Sequence, residues 1–157
     1  MQKLLIISLL SAVVFLAGCS EQLEPTPYAY TKIFTGEESK TWSLTLIEVT
    51  ANGKVVDRFQ VDCAFDDSYT FYATSDRQYE VNQGATKCSE DEVTSLTDSW
   101  AFNNASATLT IILPILSSSK LPFIVKKVDK DDLLLEIFFD ETGTESYRIH
   151  FKVKSEK

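Results

Sequence analysis

The chain of 157 residues has little of the material from which catalytic and metal centres are built. It contains one histidine, three cysteines, one methionine and five glycines. Basic residues are also scarce, with 15 Lys and Arg against 23 Asp and Glu, and this acidic balance excludes a general nucleic-acid binder. No tract is dominated by Gly, Pro or Ser, which excludes a mostly disordered or fibrous chain. The length and the 44 % hydrophobic content suit one domain with one core.

Motifs for bond chemistry are absent as well. The sequence has no Gly-rich phosphate loop, no HExxH and no serine in a nucleophile elbow. His150 falls in a predicted strand with Arg148 and Lys152 on the same face, which indicates a solvent-facing residue. The acids at 66–67 and 129–132 occur where turns are expected, and their spacing does not fit an EF-hand. We therefore predict no enzymatic activity, no catalytic residue, no metal and no cofactor.

The amino-terminal residues 1–18 have the features of a signal peptide. Lys3 provides a positive start, and residues 4–16 are apolar except for Ser8 and Ser11. This stretch is shorter than the roughly 20 residues of a transmembrane helix, but it suits a secretory signal. It ends in Leu16-Ala17-Gly18-Cys19, which resembles the lipobox of bacterial lipoproteins. The resemblance implies a lipid on the Cys19 thiol, cleavage after Gly18 and acylation of the new amino terminus; the alternative is a cysteine that follows an ordinary signal peptide.

The residues after Cys19 bear on localisation. Position 20 is Ser, not the Asp that favours retention in the inner membrane of Gram-negative bacteria. The resemblance therefore implies a protein held by lipid in the outer membrane, facing the periplasm or the cell surface. Glu21 and Glu24 belong either to a surface-export signal or to an ordinary polar tether.

The chain divides into three parts. The signal peptide of residues 1–18 is followed by a lipidated tether at 19–38 and by a folded domain at 39–157. The start of the tether holds two prolines and two glutamates without periodicity, which is typical of a linker. Tyr30, Ile33 and Phe34 are too apolar for a pure linker, so we expect part of this segment to pack on the domain.

The domain shows strand patterns almost throughout. The alternation of apolar residues slips by one position between Leu46 and Ile47, which predicts a β-bulge or a bend. Asn52-Gly53 is a strong hairpin signal. Residues 89–96 are the best candidate for a helix, although a loop is equally compatible. Strands are predicted over 41–50, 55–63, 69–73, 78–82, 99–102, 108–113, 123–128, 133–139 and 146–153.

These short, sequential strands predict an all-β fold, an up-and-down antiparallel β-barrel of about eight strands, with a sandwich as the related alternative. A barrel is favoured because closure leaves no free edge strand.

Cys63 and Cys88 remain once Cys19 is assigned to lipid. Two cysteines 25 positions apart with no nearby histidine do not make a zinc site, and a Cys-x-x-Cys redox motif is absent. Disulfides persist outside the cytoplasm, so we predict a structural disulfide; two buried free thiols are the alternative.

Four residues carry a family resemblance. Residues 40–153 resemble the lipocalin-like domains of Gram-negative lipoproteins. The resemblance depends on Trp42, Cys63, Cys88 and Trp100 and on the residues around them. The resemblance implies a barrel. In eukaryotic lipocalins a glycine precedes the first tryptophan by two positions and a basic residue of the last strand caps that ring; this chain has Lys40 at the first position, and its Arg148 is predicted to point outward.

An apolar run interrupted by Pro114 is the last unusual feature. We expect it to form an apolar rim at one mouth of the barrel, where a hydrophobic ligand or a partner docks, or else a strand followed by a packed loop. The rim residues are Ile115, Leu116, Leu121 and Phe123. An eight-stranded barrel either holds one small ligand or is filled by its own side chains. We therefore expect the protein to bind a small, partly apolar molecule, or alternatively to act as a non-catalytic scaffold or inhibitor bound to an envelope protein.

Overall fold

The computed structural model describes residues 27–59, 62–88, 90 and 93–157. The predicted signal peptide, Cys19 and the first part of the tether lie outside them. The described part is all-β, with ten strands and two short helices. The helices are α1 (Pro27–Thr35) and α2 (Asp62–Phe65). The strands are β1 (Ser39–Ala51), β2 (Lys54–Phe59), β3 (Ser68–Tyr72), β4 (Gln78–Asn82), β5 (Ser95–Ser99), β6 (Ala101–Asn103), β7 (Thr108–Ile111), β8 (Leu121–Val128), β9 (Asp132–Phe138) and β10 (Glu145–Glu156).

The strands form a nearly closed antiparallel barrel. Their order is β5-β4-β3-β1-β10-β9-β8-β7-β6, and β2 pairs with β1 beside this path. The two ends of the path, β5 and β6, are consecutive in the chain and are separated only by Trp100. Nine of the ten strands lie on this path, because β2 is beside it. If β5 and β6 are counted as one interrupted strand, the barrel has eight strands. The predicted up-and-down barrel is confirmed.

Two local predictions in β1 are confirmed. The pairing with β10 shifts register between Leu44 and Leu46, so Thr45 is the extra residue of a bulge. Its hydroxyl donates a hydrogen bond to the carbonyl of His150 at 3.1 Å. Asn52 and Gly53 adopt φ of 51° and 74° and join β1 to β2, which is the left-handed pair that a two-residue hairpin turn requires.

The second predicted strand is wrong in its last part. β2 ends at Phe59 instead of continuing to Cys63, and Cys63 lies in α2. β2 and β3 then pair with the two halves of one edge of β1, because β10 occupies the other edge along its whole length. Residues 62–65, between these two strands in the chain, form α2, so Cys63 lies outside the sheet.

The helix considered over 89–96 overlaps a strand. Residues 95 and 96 belong to β5, which pairs with β4 from Gln78–Ser99 to Asn82–Ser95. Residues 89, 91 and 92 lie outside the described part.

The lower end of the barrel, where β1 begins, is covered by α1. Phe34 of this helix is fully buried, and its ring packs against those of Phe71, Trp100 and Phe102 at centroid distances of 5.3–6.4 Å. The indole N–H of Trp42 donates to the carbonyl of Phe34 at 3.0 Å. The expected packing of this apolar segment on the domain is therefore present, and the predicted tether overlaps α1 from Pro27 onward.

Candidate functional site

The interior of the barrel is occupied by large side chains. Inward-facing aromatic residues of β1, β3, β4, β8 and β10 are at most 3 % exposed. The largest are Trp42, Tyr69, Phe71, Tyr79, Phe123 and Phe151. Grooves of about 290 to 460 Å³ lie at the ends and on the outside of the barrel, and their walls are built mainly of loop, helix and outward-facing residues. The described interior thus has the character of a packed core.

Both tryptophans of this core are covered by cations. The ammonium group of Lys40 lies 4.9 Å from the ring centroid of Trp42, and the guanidinium of Arg77 lies 5.4 Å from that of Trp100. Arg77 has a left-handed backbone with φ of 53°. Arg148 points outward as predicted, so Lys40 of the first strand covers Trp42 instead of a residue of the last strand.

The predicted disulfide between Cys63 and Cys88 is confirmed, with Cα atoms 5.1 Å apart. It ties α2 to the loop after β4 at the upper end of the barrel. Two carboxylates hold the same loop: Asp67 accepts from the backbone N–H of Gly84 at 3.0 Å, and Asp66 accepts from that of Thr86 at 2.9 Å. The hydrogen bond from Thr86 lowers the pKa of Asp66.

Three of the four predicted rim residues lie half-buried around the connection between β7 and β8. They are Ile115, Leu116 and Leu121, which pack against the core. Phe123 is fully buried inside the barrel. The connection is fixed by Tyr79, whose hydroxyl accepts from the N–H of Ile112 at 2.7 Å. Burial raises the pKa of Tyr79 to about 12.

Near the connection between β7 and β8, at the upper end of the barrel, the pairing between β8 and β9 stops early and the wall opens. The ladder between these strands ends at the pair Ile124–Glu136, although β9 continues to Phe138 and β8 begins at Leu121. A groove of about 420 Å³ lies at this opening, which we call the β8–β9 seam. The seam is lined by Leu121, Pro122, Ile124, Glu136, Ile137, Phe138 and Phe139.

A row of alternating charges crosses the outside of five strands. It runs through Arg58 of β2, Glu48 of β1, Arg148 of β10, Glu136 of β9 and Lys126 of β8. The two carboxylates are nearly buried, with side chains 9 % and 3 % exposed. We call these five residues the charge row.

The carboxylates of the charge row are well partnered. Arg58 donates to Glu48 at 2.8 Å, and Nε2 of His150 lies 3.1 Å from the other oxygen of Glu48. Burial alone would raise the pKa of Glu48, but the bonds to His150 and Arg58 outweigh it and lower the pKa. Burial would also raise the pKa of Glu136, but hydrogen bonds from Arg148, Ser146 and Lys126 outweigh it and lower the pKa. The arrangement is that of a satisfied structural network.

The remaining acids of interest also have structural roles. Asp129 accepts from the backbone N–H groups of Asp131 and Asp132 and closes the turn between β8 and β9. Within the described ranges, no group of three or more His, Cys, Asp and Glu side chains is placed to hold a metal ion.

Sequence reasoning missed Phe138, Phe139 and Pro122 as surface features. Two signals were available: a proline directly before a predicted strand, and two consecutive phenylalanines where strict alternation allows only one to face the core. The partners of Glu48 and Glu136 could not be found in this way, because they depend on the strand register.

The chain matches no protein-family model and no curated protein. Among the helices described, neither is long and apolar enough to span a membrane.

Proposed function

We infer that the protein is a non-catalytic interaction protein of the cell envelope, in which the barrel is a filled scaffold and its outer surface binds a partner protein. The observation that carries this proposal is the packed interior. A small, partly apolar ligand inside an eight-stranded barrel requires a void, and here the inward positions hold Trp42, Tyr69, Phe71 and Phe151.

The outer surface supports the same function. Large apolar side chains are exposed on β2 and at the end of β9: Val56 is 62 % exposed and Phe139 is 56 % exposed. Aromatic residues and arginine are enriched at protein–protein interfaces, and the outer wall offers Phe138 and Phe139 at the end of β9 and Arg148 on the neighbouring β10.

The proposal includes a lipid anchor on Cys19. It is supported by the apolar signal segment and by the Leu16-Ala17-Gly18-Cys19 sequence. Two or three acyl chains, each contributing about 0.8 kcal/mol per buried CH₂, anchor a protein stably. Because position 20 is Ser, we place the anchor in the outer membrane of a Gram-negative bacterium. Palmitate labelling of wild type and Cys19→Ala tests it, and equal labelling of both would contradict it.

The choice between scaffold and carrier is tested by native mass spectrometry of protein purified from its own envelope. We expect the mass of the lipidated chain without a further small molecule. A reproducible adduct of stoichiometric amount would overturn the filled-scaffold proposal in favour of ligand binding.

The interaction itself is tested by photo-crosslinking in intact cells, with a benzophenone amino acid at single exposed positions around the barrel. We expect a discrete crosslinked protein at one or more positions. Failure at every outer position would contradict the proposed function.

A further inference from the structure

The β8–β9 seam has a defined physical cause. Two residues beyond the last pair, Ile124–Glu136, at the next position where a hydrogen-bonded pair is due, the continued register places Pro122 opposite Phe138. Proline has no N–H and cannot complete the antiparallel exchange of hydrogen bonds, so the ladder stops there. Pro122 therefore opens the wall of the barrel at its upper end.

The opening leaves a strand edge without a partner strand. The N–H of Phe139 donates to the carbonyl of Glu145 on β10. Because backbone groups alternate in direction along a strand, the N–H and C=O of Phe138 face the other way, toward the seam. A backbone edge beside an apolar groove is the arrangement that binds an extended peptide as an added strand.

The groove beside this edge is apolar and exposed. Ile124 is 36 % exposed, Phe138 40 % and Phe139 56 %. The ring of Phe139 is held edge-on against Tyr147 at 4.7 Å, so it forms a fixed wall. The groove of about 420 Å³ is large enough for a few apolar side chains.

The charges around the seam favour a cationic partner. The 140–145 loop, which ends at the first residue of β10, carries Asp140, Glu141 and Glu145, and in the described structure none of the three forms an ion pair. Of the neighbouring cations, Lys120 pairs with Asp98, and Lys126 and Arg148 share Glu136, so the three carboxylates of the loop outnumber the one cation in excess. The field at this end of the groove is therefore negative, which complements Lys or Arg on the incoming segment.

We propose that the β8–β9 seam binds an extended segment of a partner protein, in which apolar residues enter the groove and flanking basic residues face the 140–145 loop. The segment adds to the edge of β9 at Phe138. This inference rests on the proposed function and specifies the surface and the chemistry of the partner.

The direct test uses purified full-length protein and two synthetic peptides. Both contain the core Val-Phe-Val-Ile-Val; one is flanked by two lysines at each end and the other by two glutamates. Fluorescence anisotropy is expected to show the lysine peptide binding at least about tenfold more tightly at low salt, with the difference shrinking as salt is added. Equal binding of the two peptides, or binding of neither, overturns the proposal.

Three variants localise the binding. Phe138→Ser removes an exposed wall of the groove and is expected to weaken binding of the lysine peptide at least about fivefold. Val56→Ser on β2, at an apolar position that is more exposed than Phe138, should leave the binding unchanged. Pro122→Thr restores an N–H that completes the ladder, so it should close the seam, weaken binding and slow amide exchange at Phe138. Unaltered binding in Phe138→Ser contradicts the proposal even if Pro122→Thr does not fold.

Crosslinking separates this inference from the proposed function. A benzophenone at Phe138 is expected to capture the envelope partner, and the same group at Val56 is not. Capture at Val56 without capture at Phe138 would remove the seam as the binding surface while leaving the interaction function intact.

Discussion

The ammonium group of Lys40 lies over the indole ring of Trp42, 4.9 Å from its centroid. Both residues belong to β1, and both side chains face the interior of the barrel. Lys40 also forms an ion pair with Glu156 at 3.0 Å, near the end of the last strand. The side chain of Lys40 is 3 % exposed and that of Glu156 47 % exposed. At the lower end of the barrel, one buried cation thus contacts side chains of both the first and the last strand.

This pair predicts an asymmetric response to mutation. Glu156→Gln removes the negative charge that faces a buried ammonium group and leaves only an amide oxygen in its place. We therefore expect a loss of about 1–2 kcal/mol in the free energy of unfolding, discounted for the exposure of Glu156. Lys40→Met removes the charge and keeps much of the volume, so it should cost less. Urea denaturation followed by tryptophan fluorescence measures both. The opposite order would show that the ammonium group itself stabilises the barrel.

The disulfide predicts a stability change that depends on oxidation. Reduction of Cys63–Cys88 opens a loop of 25 residues, for which chain entropy gives a loss of about 3.5 kcal/mol. The double variant Cys63→Ser/Cys88→Ser should lose the same amount and become insensitive to dithiothreitol. Urea midpoints with and without reductant provide the measurement. A wild type that is unaffected by full reduction would contradict this account.

The charge row predicts a loss of stability in acid. The pKa values of Glu48 and Glu136 are lowered from their ordinary 4.5 in the folded state. The unfolded chain therefore takes up protons first, and the stabilisation that is present above pH 4.5 declines as the pH falls through the folded values. The double variant Glu48→Gln/Glu136→Gln should lose about 1–3 kcal/mol at pH 7, and its stability should fall less steeply below pH 4.5. Parallel curves for the variant and wild type would refute a role for this pair.

Tyr79 predicts a response at the alkaline side. Its pKa of about 12 exceeds the ordinary value of 10.0, so the folded state retains the phenolic proton longer than the unfolded chain does. Stability should decline as the pH rises from 10 toward 12. Tyr79→Phe removes this decline and costs about 1–2 kcal/mol, because the N–H of Ile112 loses its acceptor. Ultraviolet titration and amide exchange at Ile112 measure the two effects; rapid titration of all tyrosines near pH 10 would contradict them.

Features governed by short-range rules could be predicted from the sequence. The bulge at Thr45 shows as a slip in alternation, and the Asn52-Gly53 turn depends only on backbone conformations that these two residues tolerate. The barrel followed from the number and spacing of the strands. The disulfide followed from the small number of cysteines.

Features that depend on register could not be predicted. β2 ends at Phe59, and Cys63 belongs to α2. The alternation of apolar residues does not show where the pairing of β2 with β1 stops. β5 was obscured because its residues are polar and mostly exposed, which resembles a loop. To predict the burial of Glu48 and Glu136, one must know which strands lie beside them. To predict the seam, one must know the register of β8 and β9, which brings Pro122 opposite Phe138.

The pairing of β1 with β10 has a consequence for the order in which the protein can be made. Lys40 pairs with Glu156, so one edge of the first strand stays open until all of β10 has been synthesised. Contacts of such long sequence separation slow folding, and they expose apolar strands in the meantime. A chain that lacks β10 therefore cannot form a closed barrel. We expect a variant truncated before β10 to aggregate and not to fold into a smaller barrel.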